Sequence, residues 1–217
     1  MIVVAVALLA LLAAAAWVTL RTPEYRGTSR LLVTPAPFDD VSYLGLPVIR
    51  DSPGDPTRAA QTGAVMIDTA SAAALTAQQL GAGWSTARVL GSVSVTPIGG
   101  SNVVAVQATA GNPGLAARIA GTYARTALTA RRQVLSRQAA VQILRLGPAA
   151  NVPPAVLTSL RAVEAGSDPT FSPLPPTAPV SAERPAWRIL ATALFAGLIL
   201  GIGAAVLREF VPRARRS

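Results

Sequence analysis

Two uncharged apolar runs bracket a middle section that switches between strand-like and helix-like periodicity. Ile2 to Leu20 and Ile189 to Leu207 carry no charge, and each is long enough at ~1.5 Å per residue to match a hydrocarbon core of ~30 Å. Both are expected to be transmembrane helices. Between them, Tyr25 to Thr34 alternates Arg26, Thr28 and Arg30 with Tyr25, Leu31 and Val33, the pattern of a half-buried strand, and Pro35 and Pro37 stop it. A loop over 36–56 ends at Asp55-Pro56, a cap followed by first-turn proline. A helix then runs from about Thr57 to Leu80, with a break near Gly63 and an apolar side of Ala64, Ile67, Ala74 and Leu75. Val89, Val93 and Val95 alternate with Ser92, Ser94 and Thr96. After Pro97-Ile98-Gly99-Gly100, the run Asn102 to Gln107 completes a hairpin. Asn112-Pro113 opens the longest helix, to about Leu146, with an apolar stripe through Leu115, Ile119, Tyr123, Thr126, Ala130, Val134 and Val141; Gly147-Pro148 stops it. A shorter amphipathic segment, Pro153 to Ala165, follows.

This organisation predicts a first transmembrane helix over 1–20, an extracytoplasmic α+β domain over 21–166 and a proline-rich linker over 167–187. A second transmembrane helix follows over 188–208, with a basic cytoplasmic tail over 209–217. The fold class is a small antiparallel sheet with one long helix and shorter helices, anchored by two transmembrane helices. Arg208, Arg213, Arg215 and Arg216 against Glu209 place the C-terminus inside. Arg21, Arg26 and Arg30 pull the other way, but long loops translocate largely regardless of charge. A short basic lead ahead of Met1 would remove the conflict. The expected placement is therefore a two-pass protein of the bacterial cytoplasmic membrane with its central domain outside. A signal peptide cleaved near Ala13–Ala16 is the alternative for the first run; it lacks the basic lead such peptides carry. In the second run Ala193, Gly197, Gly201 and Ala205 recur every fourth residue, a face where another helix backbone packs closely. Pro175, Pro176, Pro179 and Pro185 are expected to bring the chain back to the membrane.

Composition removes most chemistry. Among 217 residues there is no His, Cys or Lys, and all nineteen basic residues are Arg. The commonest general base, thiol chemistry, Schiff-base chemistry and a Walker lysine are absent with them. Asp39 and Asp40 sit together in a proline-flanked loop, where turn capping explains them better than glycoside chemistry. Ser29, Ser101 and Ser136 have no His partner, and Gly99-Gly100 belongs to a hairpin turn rather than a phosphate loop. No cofactor or metal set is expected, and the protein is read as non-enzymatic.

One charge pattern stands out. Between Asp68 and Glu164 there are eight arginines and no acid. Arg118, Arg125 and Arg132 are spaced by seven, so they share a helix face, with Arg131 and Arg137 nearby. The row is either a solvated face or a surface for anions: acidic glycan, lipid headgroup, pyrophosphate-linked carrier, or the Asp39–Asp68 segment of a neighbouring subunit. Nucleic acid is not expected, because few aromatics are present to stack bases.

The order of these motifs resembles the bacterial chain-length determinant family, the polysaccharide co-polymerases, in a short capsule or exopolysaccharide form. The resemblance rests on the apolar N-terminal run, the strand Tyr25-Arg26-Gly27-Thr28-Ser29-Arg30-Leu31-Leu32-Val33 and the hairpin Gly91–Val95 with Ser101–Val106. It continues through the helix start Asn112-Pro113-Gly114-Leu115-Ala116-Ala117-Arg118-Ile119-Ala120 and the proline-rich run from Ala178-Pro179 to Arg184-Pro185. Asn112 and Gly121 depart from the pattern, where the family tends to carry Asp and Asn, and the long central coiled coil of larger members is shortened. The resemblance implies a homo-oligomer that regulates the length, polymerisation or export of a surface polysaccharide. Its implied partners are membrane lipid and a polysaccharide polymerase or export machinery, with a separate cytoplasmic tyrosine kinase as the partner of an adaptor variant. No kinase domain of the chain's own is expected after Leu207.

Overall fold

A nine-residue strand, β1 (Tyr25–Val33), is the hub to which three of the other four strands attach. The computed structural model describes residues 2–20, 23–37, 40–43, 45–51, 55, 57–147, 152–181, 191–200 and 202–203. They divide into two units, Glu24–Ser181 and the flanking segments Met1–Pro23 with Ala182–Ser217. In the first unit β1 pairs antiparallel with β3 (Val103–Ala110), from Tyr25 opposite Ala110 to Leu32 opposite Val103. The hairpin strand β2 (Val93–Ile98) lies outside β3. The other edge of β1 is shared by two short strands from the far end of the unit. These are β4 (Phe171–Pro173), beside Leu31–Val33, and β5 (Thr177–Ser181), beside Tyr25–Thr28. Tyr25 therefore lies opposite Ser181, and the two ends of the unit meet side by side.

Helices cover the face of the sheet that carries Gly27, Leu31 and Val33. Helix α2 (Arg58–Ile67) and α3 (Ala70–Leu80) follow one another with only Asp68-Thr69 between them. The break lies five residues beyond Gly63, because Thr69 starts a new helix and caps it by accepting a hydrogen bond from the Ala72 N–H at 3.2 Å. Gly63 stays inside α2, where the Val33 side chain and the Phe171 ring occupy the space of a Cβ. The short helix α4 (Thr86–Ser92), capped by Ser85, takes up Val89, which the alternating pattern assigned to the hairpin. The 34-residue α5 (Pro113–Leu146) lies over β1 and β3, and its start follows the expected chemistry: the Asn112 Oδ1 accepts from the N–H groups of Gly114 and Leu115. The close approach requires glycine at position 27, where a Cβ would overlap the Ala116 carbonyl and the Ala117 nitrogen of α5.

The main core joins Leu31, Val33, Ile67, Val104, Val106, Tyr123 and Phe171. A satellite core under the second half of α5 joins Leu135 and Ala139 to Leu160 and Val163 of α6 (Pro154–Glu164), with Leu46 and Val48 from the loop after β1.

Two expectations are corrected. The run 167–187, expected to be a linker with no capacity for a core, carries β4 and β5 and buries Phe171. Pro179 is compatible with this because β5 is an edge strand, and its register shifts between Arg26 and Thr28, where the ladder needs no donor from it. Pro175 and Pro176 sit exposed between β4 and β5, and Pro185 lies outside the described residues.

The second correction concerns anchoring. The run Ile2–Leu20 forms the helix α1 as expected, and residues 191–200 are helical. Yet among the described residues no helix is long and apolar enough to cross a membrane. The expected anchoring by two transmembrane helices is overturned on this finding. With it goes the two-pass placement in the bacterial cytoplasmic membrane. On the second helix Gly197 is buried and Ala193 half-buried, whereas Leu198, Ile199 and Leu200 are exposed. Gly201, Ala205 and the basic tail lie outside the described residues.

Candidate functional site

Helix α5 separates the arginines that the sequence grouped together. Residues 116, 119, 120, 123, 124, 127 and 128 are buried against the sheet and α3, which turns Arg118, Arg125 and Arg132 to the exposed side. Seven residues of α-helix rise about 10.5 Å, so successive members of this row stand that far apart along the axis. Among the described residues none of the three is in an ion pair. Arg125 is steadied from its own helix, its Nη2 donating to Thr122 Oγ1 at 3.1 Å. Between the first two arginines stands Gly121, and between the second pair Thr129, whose hydroxyl is turned back to the Arg125 carbonyl at 2.9 Å. The Arg125 guanidinium leans back over Gly121, its Nη1 3.5 Å from where a Cβ there would stand. Arg137 is exposed and donates through Nε to the Gln133 carbonyl at 3.1 Å.

Arg131 belongs to another environment. One position before Arg132, it turns inward. Its Nε meets Asp168 Oδ2 at 3.0 Å, with the side chains 9% and 0% exposed. Its Nη2 donates to the Pro47 carbonyl and to Thr170 Oγ1, and its guanidinium lies 4.9 Å from the centre of the Phe171 ring. Asp168 also accepts from the Thr170 N–H at 2.9 Å. The group thus binds the loop after β1 and the approach to β4 onto α5. Its charge is neutralised internally, so it offers no anion site. The sequence could not pair residues 131 and 168; the one local signal was Asp168-Pro169-Thr170, an Asx turn ahead of a strand. Arg88 is likewise engaged, over the Trp84 ring at 4.6 Å and bonded to the Gly83 carbonyl.

The carboxylates serve the backbone. Asp40 accepts from the Ser42 N–H at 2.8 Å, and this side chain's hydrogen bonding holds its carboxyl below the ordinary value. Asp55 accepts from Thr57 and from the Arg58 N–H at the start of α2, and the Thr57 hydroxyl lowers its carboxyl in the same way. Asp39 lies outside the described residues. Two clefts accompany these elements. One of about 300 Å³ is lined by Val48, Ile49, Arg50, Asp51, Arg58 and Thr62. Another, of about 180 Å³, lies beside Pro47, Met66, Ala130 and Arg131. Neither brings two carboxylates together.

Tyr123 closes the gap between α2 and α3. Its hydroxyl accepts from the Thr69 N–H at 3.2 Å and lies 3.4 Å from the Ile67 carbonyl and from Asp68 Oδ1. Burial, reinforced by the Asp68 charge, pushes this phenol up to about 12.

No family model and no curated protein matches this sequence. Among solved structures, the chain is similar to one described as a full-length bacterial polysaccharide co-polymerase, at a TM-score of 0.45 and 10% identity, over 98% of this chain and 94% of that one.

Proposed function

We propose that this protein is a non-enzymatic regulator of the chain length, polymerisation or export of a surface polysaccharide, working as an oligomer. The observation that carries this reading is the row Arg118, Arg125 and Arg132: three exposed guanidiniums on one helix face, none in an ion pair among the described residues. Such a face holds anions without transforming them, and the sequence, lacking His, Cys and Lys, supplies few groups for bond-making. Several copies side by side would multiply weak contacts into useful retention of a long polymer.

The test is genetic and chemical. Deleting the gene is expected to shift the length distribution or amount of the surface polymer, read by gel electrophoresis, while NMR finds the repeat unit unchanged. Complementation with Arg118, Arg125 and Arg132 all replaced by Gln is expected to give an altered distribution at normal protein level. A deletion strain with unaltered polymer length and amount would refute the regulator and favour an adaptor that binds another protein.

A further inference from the structure

We infer that the arginine row of α5 selects acidic polysaccharides that carry one negative charge per disaccharide, reading them by spacing. This rests on the polysaccharide reading above and narrows it to a class of polymer. The argument starts from distance. Helical geometry fixes the Arg118, Arg125 and Arg132 attachment points about 10.5 Å apart in a nearly straight row. That interval is close to the length of two linked hexoses in an extended polymer, so a carboxylate on every second sugar meets each guanidinium in turn.

Other polyanions fit less well. Phosphates of a nucleic acid strand recur about every 3.4 Å along the axis, so one guanidinium per 10.5 Å answers only about one phosphate in three. Asp40, Asp55 and Asp168 of the chain itself are also poor ligands for this row, because each is held by local donors. The surface between the charges suits sugar rings. Gly121, over which the Arg125 guanidinium lies, adds no side chain of its own, and Thr129 is the small residue between Arg125 and Arg132. The Thr122 contact orients the middle guanidinium and leaves its remaining N–H groups for a carboxylate.

The test uses the full-length protein, immobilised and exposed to four polymers of matched length. These are an alternating uronic acid–N-acetylhexosamine chain, a polyuronate charged on every sugar, inorganic polyphosphate and neutral dextran. The alternating chain is expected to bind most tightly per charge, and dextran not at all. Each Arg→Gln change is expected to weaken binding about five-fold, the upper end for exposed charge pairs, and the triple change about 100-fold. The deciding variant combines Arg125→Gln with Thr129→Arg. It keeps the net charge and alters only exposed positions, yet breaks the interval, so it should lose the preference for the alternating chain while its circular dichroism melt stays unchanged. Equal binding of the alternating and fully charged chains, tighter binding of polyphosphate, or retained preference in the shifted variant would each overturn the inference. A deletion strain with normal polymer, alongside intact selectivity in vitro, would remove the regulatory role and leave the ligand assignment standing.

Discussion

Arg131→Met is the most informative stability test, because it keeps most of the side-chain stem and removes the charge. In the wild type the guanidinium makes the ion pair with Asp168, two further hydrogen bonds to Pro47 and Thr170, and the contact with Phe171. Removing it leaves the Asp168 carboxylate fully buried, with only the Thr170 N–H and hydroxyl as donors. Stranding one member of a buried pair costs about 3–5 kcal/mol. With an m-value of about 2 kcal/mol/M in urea, the midpoint should fall by about 1.5–2.5 M, followed by far-UV circular dichroism. Adding Asp168→Asn removes the stranded charge and keeps an acceptor for Thr170, so the double variant should be more stable than Arg131→Met alone. A midpoint within 0.5 M (roughly 1 kcal/mol) of wild type for the single variant, or additive losses in the double, would refute the view that this pair fastens the β4 approach to α5.

Two further outcomes follow from packing and protonation. Gly27→Ala drives a methyl into the backbone of α5, which has no side chain to swing aside, so a loss of about 1–3 kcal/mol or more is expected in urea melts; a neutral effect would mean that α5 does not sit on β1 as described. For Tyr123, the folded-state value of about 12 lies above the ordinary 10.0. Its contribution is therefore fully present below pH 10 and is lost as pH rises through 12, at about 1.4 kcal/mol per pH unit. Tyr123→Phe should abolish this part of the alkaline decline, read as the wild-type-minus-variant difference in unfolding free energy between pH 10 and 12; a difference that does not change with pH refutes the assignment.

The elements legible in the sequence were those whose signals are local. Asn112-Pro113 sets a cap and a first helical turn within three residues, and α5 starts where that chemistry requires. β1 places Gly27, Leu31 and Val33 on one buried face, and the hairpin is marked by Gly99-Gly100 between two valine-bearing runs. The misjudged places depended on distant partners. Gly63 looked like a helix breaker, but its missing side chain answers Val33 and Phe171 from other elements. The six prolines of 168–185 looked like a linker, yet an edge strand tolerates proline, and β1 had a free edge to pair with them. For the candidate site, the spacing of seven fixed the common face of Arg118, Arg125 and Arg132. The removal of Arg131 from that group needed Asp168, which no periodicity reveals.

The pairing of β1 with β5 also sets a schedule for biosynthesis. Thr177 donates to the Thr28 carbonyl across 149 residues of chain. At roughly 5–20 residues per second, a ribosome needs roughly 7–30 s between delivering one partner and the other. Throughout that interval the outer edge of the central strand lacks its native neighbours and is open to pairing with another nascent chain. The unit becomes safe from such mispairing only when its last strand arrives, so its yield in cells should depend on whatever shields that edge during synthesis.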